Sequence, residues 1–258
     1  MRAGLRPQSD MESFGIADIA LFVFAVTLGF AVRGGAGFGG GIVAVPLLAL
    51  IAPLATVVPF ISALNTIASL LYGSTHWRKV EWRELARIAP YAVVGAVIGI
   101  VLLAHVDAAP LKRIFGVFIL AYATYMLYAS GEMPAIPRRW LTPLAAVLSI
   151  LGGAIGSLFG GAAGPVFVMY LNALKIEKDR FRATLTMLMI ALGFTRITGY
   201  AVLGLYTSTT LTLLLIGLPL MLLGGYLGNR MVQRLNQRRF NQAVGGIIFI
   251  SGILLIAK

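Results

Sequence analysis

The stretch "RGGAGFGGGIVAVP", from Arg33 to Pro46, packs six glycines between two apolar runs. It contains G-x-G-x-x-G from Gly35 to Gly40. A dinucleotide fingerprint would need a strand before it, a helix after it and an acid ~20 residues downstream. The preceding run is instead a long apolar helix candidate, and the next acid is Glu81. The nucleotide reading is therefore set aside. Each glycine weakens a helix by ~1 kcal/mol relative to alanine, so Gly39, Gly40 and Gly41 in succession predict a break in a helix.

What surrounds the break decides where it sits. The chain has 258 residues, of which 59% are hydrophobic and 12% charged. A soluble domain carries about 25% charged residues. Mean hydropathy is +0.91, which places the chain in the membrane class. Apart from Asp18 at the very start of the first, no acid lies inside an apolar segment, and none falls between Asp18 and Glu81. The formal charge of +12 sits in short loops between apolar runs. That pattern belongs to cytoplasmic membrane loops beside anionic lipid, and nucleic acid is not expected as a partner. Without cysteine, disulfides, thiolate chemistry and cysteine metal sites are excluded. The first apolar run follows acids rather than a basic region, so it reads as a retained span and not as a cleaved signal.

Apolar runs fall at about 15–32, 41–52, 54–73, 88–104 and 113–130, and again at about 141–158, 164–174, 183–206, 209–228 and 242–257. Two of them, 41–52 and 164–174, are too short for a full span of ~20 residues, and both begin at a glycine cluster. "GFGGGIVAVPLL" (Gly37–Leu48) aligns with "GGAAGPVFVMYL" (Gly160–Leu171), and Gly95 and Gly99 align with Gly224 and Gly228. The reading is an all-α polytopic membrane protein built of two repeats. It divides into a tail at 1–14, a first repeat at 15–130, a linker at 131–140 and a second repeat at 141–258. Each repeat has about four long spans and one short glycine-broken helix, eight long spans and ten segments in all.

Charge sets the sense of the repeats. With five crossings per half, the loops 74–87, 131–140, 175–182 and 229–241 share one side and hold fourteen Lys/Arg, against five on the other. With re-entrant short runs the tally is nine against ten. The positive-inside rule selects the first arrangement: inverted repeats, basic loops in the cytoplasm and both termini periplasmic.

A break at membrane depth must line protein or a water-filled cavity. The helix after it presents its positive N-terminus, and glycine lets a ligand approach the free N–H groups. Two such starts, Gly37, Gly39, Gly40 and Gly41 in one half and Gly160, Gly161 and Gly164 in the other, form an anion site when they face each other. Gly95, Gly99, Gly224 and Gly228 read instead as helix packing.

Arg196 lies deep in "TLTMLMIALGFTRITGYAVLGLY", where an arginine costs ~2.5–3.5 kcal/mol on insertion scales. No intramembrane carboxylate exists to pair with it, so it reads as a substrate counter-ion. Tyr200 lies one turn on, on the same face, placed to hydrogen-bond the ligand. Arg33 fits two readings, snorkelling to the cytoplasmic interface or facing the ligand. Asn65, the repeat counterpart of the Arg196 region, either lines the path or joins helices, with Ser62, Thr66 and Ser69 near its face. His76 and His105 flank spans and read as interfacial. No buried His, Cys or acid set supports a metal, a cofactor or a catalytic role, so no enzyme is expected. Trp77, Trp82 and Trp140 read as interface anchors.

The broken helix with its proline ("GFGGGIVAVP", then "GGAAGPVF"), once per half over nearly the whole chain, resembles the TauE/SafE family of bacterial sulfite exporters and anion permeases. The "PLL" at Pro46–Leu48 fits the same pattern. The second copy departs at Ala162, Ala163 and Met169. The resemblance implies a secondary transporter moving sulfite, a sulfonate or a related organic anion across the inner membrane. The partners expected are the anion and the bilayer, with a homodimer left open. In the expected mechanism the anion is held at the paired helix starts with Arg196, and the halves rock around it. An anion channel with the same lining and a non-transporting scaffold are the alternatives.

Overall fold

A computed structural model describes residues 15–37, 39–73, 77–128, 138–174, 176–232 and 237–257. His76 and most of the linker lie outside them. The described residues form ten α-helices and no strand. The first half holds α1 (Ile16–Ala36), α2 (Gly40–Leu48), α3 (Leu54–Gly73), α4 (Trp82–His105) and α5 (Ala108–Tyr128). The second holds α6 (Arg138–Leu158), α7 (Gly164–Ala173), α8 (Lys178–Val202), α9 (Ser208–Val232) and α10 (Gln237–Ala257).

Helices α2 and α7 have nine and ten residues. At 1.5 Å per residue they rise about half the ~30 Å hydrocarbon thickness. Five helices carry segments long and apolar enough to cross a membrane: Ile16–Gly35, Leu54–Leu71, Trp82–His105, Asp179–Val202 and Ser208–Arg230. The apolar parts of α6 and α10 are shorter, Pro143–Leu158 and Val244–Ile256. Large apolar side chains point outward along α4 (Val94, Val97, Val101) and α9 (Leu215, Leu222, Leu223). Apolar surface this continuous belongs against lipid. The molecule is a polytopic membrane protein.

The three most extensive helix pairs run across the halves: α4 packs on α6, α1 on α9 and α5 on α10. Helix α3 also packs across, on α8. Glycine makes the first two pairs close. A Cβ on Gly95 or Gly99 would run into the α6 backbone carbonyls of Ile150 or Ala154, and one on Gly224 or Gly228 into the α1 carbonyls of Thr27 or Ala31. Small residues let membrane helices touch backbone to backbone, and dispersion then replaces the hydrophobic effect as the attraction.

Two clusters of buried apolar side chains result. One joins α1, α2, α3, α5, α9 and α10 around Phe30, Phe60 and Phe115. The other joins the N-terminal parts of α4 and α8 to α7 around Ile88, Phe167 and Leu188. Neither cluster follows the boundary between the sequence halves.

Candidate functional site

The two glycine breaks meet. Helix α1 stops at Gly37, whose φ of 84° is left-handed and whose N–H closes on the Arg33 carbonyl at 2.7 Å. Helix α6 runs into Gly160 and Gly161, where Gly161, at φ 90°, donates to the Gly156 carbonyl at 2.6 Å. An L side chain at either left-handed position is strained by ~1–2 kcal/mol. Between the breaks, a Cβ on Gly41 would overlap the Gly160 carbonyl, and one on Gly40 would lie 2.8 Å from Asn65 Oδ1. The backbone of α2's first turn therefore touches the backbone of the second break. The first N–H groups of a helix have no intrahelical acceptor, so α2 aims donors into this junction. Helix α7 aims fewer, because Pro165 has no N–H and Val166 donates to the Ala163 carbonyl at 3.0 Å.

Two guanidinium groups flank the junction. Arg33 turns inward: Nη1 donates to Asn65 Oδ1 at 2.8 Å and Nη2 to Ser69 Oγ at 2.6 Å. Asn65 Nδ2 in turn donates to the Gly160 carbonyl at 3.0 Å, so one amide ties α1, α3 and the second break together. Ser69 Oγ donates to the Asn65 carbonyl at 2.8 Å. Arg196, from α8, is 2% exposed, and its Nε and Nη2 have no hydrogen-bond partner among the described residues. A Cβ on Gly161 would fall 3.0 Å from Asn65 Nδ2 and 3.5 Å from Arg196 Nη1. Asn65 thus lies between the two guanidinium groups, bonded to Arg33 and beside the same Gly161 as Arg196. A Cβ on Gly156 would come within 2.8 Å of Arg196 Nη2, so α6 is kept bare where the guanidinium lies.

Leaving donors of a buried cation unpaired is expensive, and a charge in a low-dielectric interior needs a counter-charge. No acidic group is among the buried polar and charged side chains described. What this arrangement can do chemically is bind an anion. Tyr200 is fully buried one turn past Arg196, and its hydroxyl donates to the Ser157 carbonyl at 2.5 Å. Its proton thus satisfies the backbone beside the break. Thr195 Oγ1 donates back to the Ala191 carbonyl at 3.1 Å. His105 is exposed beside the Val101 carbonyl, and no group of three or more potential metal ligands occurs among the described residues.

The family profile described as "Sulfite exporter TauE/SafE" matches residues 21–255. The chain belongs to the TauE/SafE family. It is also similar to a protein of Comamonas testosteroni named "Probable inner membrane transporter protein TsaS", with 27% identity over 193 residues, 74% of this chain and 79% of the relative. No solved structure matches.

In this TauE/SafE chain the junction brings together Gly40, Gly41, Asn65, Gly160, Gly161, Arg33 and Arg196 from the residues singled out in the sequence. Gly37 and Gly39 cap the break one step away, and Gly164 opens α7 beyond it. Sequence reasoning missed Arg182, counted there only as a loop cation. It lines a cavity of about 280 Å³ between α1, α3, α8 and α9 that also reaches Arg33. The signal available was its place four residues into α8, directly before the buried run Ala183–Thr186.

Proposed function

We propose that this chain is a secondary transporter of a small anion, sulfite or an organic sulfonate, in the bacterial inner membrane. The observation that carries the reading is Arg196: a buried cation with two nitrogens unpartnered among the described residues, set across Asn65 and Gly161 from a second arginine, with no buried carboxylate among the described residues. An oxyanion offers the acceptors that Arg196 lacks, in charge-assisted hydrogen bonds, and its charge is favoured by Arg33 nearby. Family membership and the transporter named among its relatives support the same reading.

The halves are read as inverted repeats, with the basic loops in the cytoplasm. Exchange of the halves (α1 with α6, α2 with α7, and so on) maps the α4–α6 contact onto α9–α1 and the α4–α8 contact onto α9–α3, which supports the repeat. The anion is bound at the junction, and the backbone-tight pairs α1–α9 and α4–α6 move as units to open it to either side. Single cysteines at Arg83 and Arg230 should label from the cytoplasm, and ones at Asp107 and Ser208 from the periplasm; any exchange of sides removes the inverted arrangement.

The decisive experiment is equilibrium binding of sulfite and a panel of small sulfonates to purified protein and to its Arg196→Gln variant. Unchanged affinity would remove Arg196 from the site. Counterflow in liposomes then separates carrier from channel, because only a carrier is accelerated by substrate on the far side.

A further inference from the structure

The 280 Å³ cavity is built from both halves of the chain, and its charge is of one sign. Arg33 and Arg182 are its ionic lining, Thr186 and Asn229 add polar groups, and none of the described residues lining it is a carboxylate. Phe30 and Met221 supply buried apolar wall, and the exposed Leu71 and Leu222 stand at its open rim. It draws on the end of α3 that leads to Gly73, the start of α8 and the end of α9, the helix ends that adjoin the basic loops. Arg182 lies over the left-handed cap of α1, where a Cβ on Gly37 would come within 3.3 Å of its Nε. The cap glycine of the first break therefore also leaves room for this guanidinium. The cavity is roomy enough for several waters, so a small oxyanion enters with part of its hydration shell. Low-dielectric walls with charges of one sign focus the field and raise the local concentration of the opposite ion.

We propose that this cavity is a charge-selecting antechamber, in which an oxyanion is held between Arg182 and Arg33 before it reaches Arg196. Arg182 is then the residue that admits anions and rejects cations from the basic-loop side. The order of passage rests on Arg196 holding the transported anion. The selection at Arg182 does not.

The chain has no cysteine, so an introduced thiol is unique. A Cβ on Gly225 meets nothing within 4 Å, which makes Gly225→Cys a reporter that fits the cavity without displacing a neighbour. Ala68→Cys on α3 reports from a second helix of the lining. The probes are the anionic sulfonatoethyl and the cationic trimethylammonioethyl methanethiosulfonates, applied to full-length protein in inside-out vesicles, with rates normalised to a free thiol. The anionic reagent should react about 10-fold faster. Arg182→Gln should bring the ratio close to one, and Arg182→Lys should keep it. A ratio that Arg182→Gln leaves unchanged, a preference for the cation, or silence of both thiols towards both reagents overturns the antechamber. If Arg196→Gln leaves sulfite and sulfonate binding intact while the reagent preference persists, the inner site is wrong and the antechamber stands. If the preference is absent while binding still depends on Arg196, the antechamber is wrong and the inner site stands.

Discussion

The two glycine breaks have the same backbone task and unequal surroundings. Helix α2 is buried along its whole length and packs mainly against α1, α3 and α10. Helix α7 leans mainly on α6 and α8, and its Met169 is 42% exposed. The arginines repeat the inequality. Arg33, beside the first break, is held by Asn65 and Ser69. Arg196, beside the second, keeps two nitrogens without a partner among the described residues. The difference teaches that equal charges brought to one place need not do equal work: one guanidinium gives two of its nitrogens to the scaffold, and the other keeps two without a partner among the described residues.

The comparison breaks most readily at Arg196. Arg196→Gln should weaken anion binding ~10–100-fold, the equivalent of ~1.5–3 kcal/mol for charged hydrogen bonds. It should leave thermal stability in detergent unchanged or raised, since a buried unpaired charge is removed. Arg33→Gln should behave in the opposite proportion, lowering stability by ~1–3 kcal/mol as Asn65 and Ser69 lose a partner. Equal losses of affinity and stability in both variants would abolish the distinction.

A smaller effect tests the contact between the breaks. Gly41→Ala forces a methyl onto the Gly160 carbonyl and should cost ~1–3 kcal/mol by thermal unfolding. Gly225→Ala, with open space around it, should cost nothing and gain up to ~1 kcal/mol of helix propensity. The smallest effect belongs to the surface. Lys79 and Asp179 pair at 2.5 Å with both side chains at least half exposed, so Lys79→Ala should change stability by ~0–1 kcal/mol and less in high salt. A large loss there would move the anchor between the halves from the interior to the loops.

The breaks are legible in the sequence because three glycines in succession, echoed by a second glycine cluster in an apolar chain, leave few structural alternatives. Arg196 is legible because a cation remote from every acid and from the ends of its apolar run has no routine explanation. The partners are not. Arg33 meets Asn65 and Ser69 at separations of 32 and 36 residues, and Tyr200 meets Ser157 at 43. Such pairings depend on where two helices cross and which rotamer each side chain takes, and periodicity encodes neither. Sequence alone therefore leaves Arg33 between interface and ligand, where the structure turns it onto α3. Arg182 is hidden for a related reason: a charge beside a basic loop looks solvated until the helices around it enclose a cavity.

The glycine seams also constrain how the chain is made. The bare stripe of α4 is covered by α6, and the bare stripe of α9 closes on α1; the ribosome delivers both α6 and α9 only after the linker. Until then the first five helices hold close-contact surfaces with nothing to close on. The first half is therefore an incomplete folding unit rather than a small copy of the whole. A chain cut between residues 131 and 137 should accumulate only when both fragments are synthesised in the same cell.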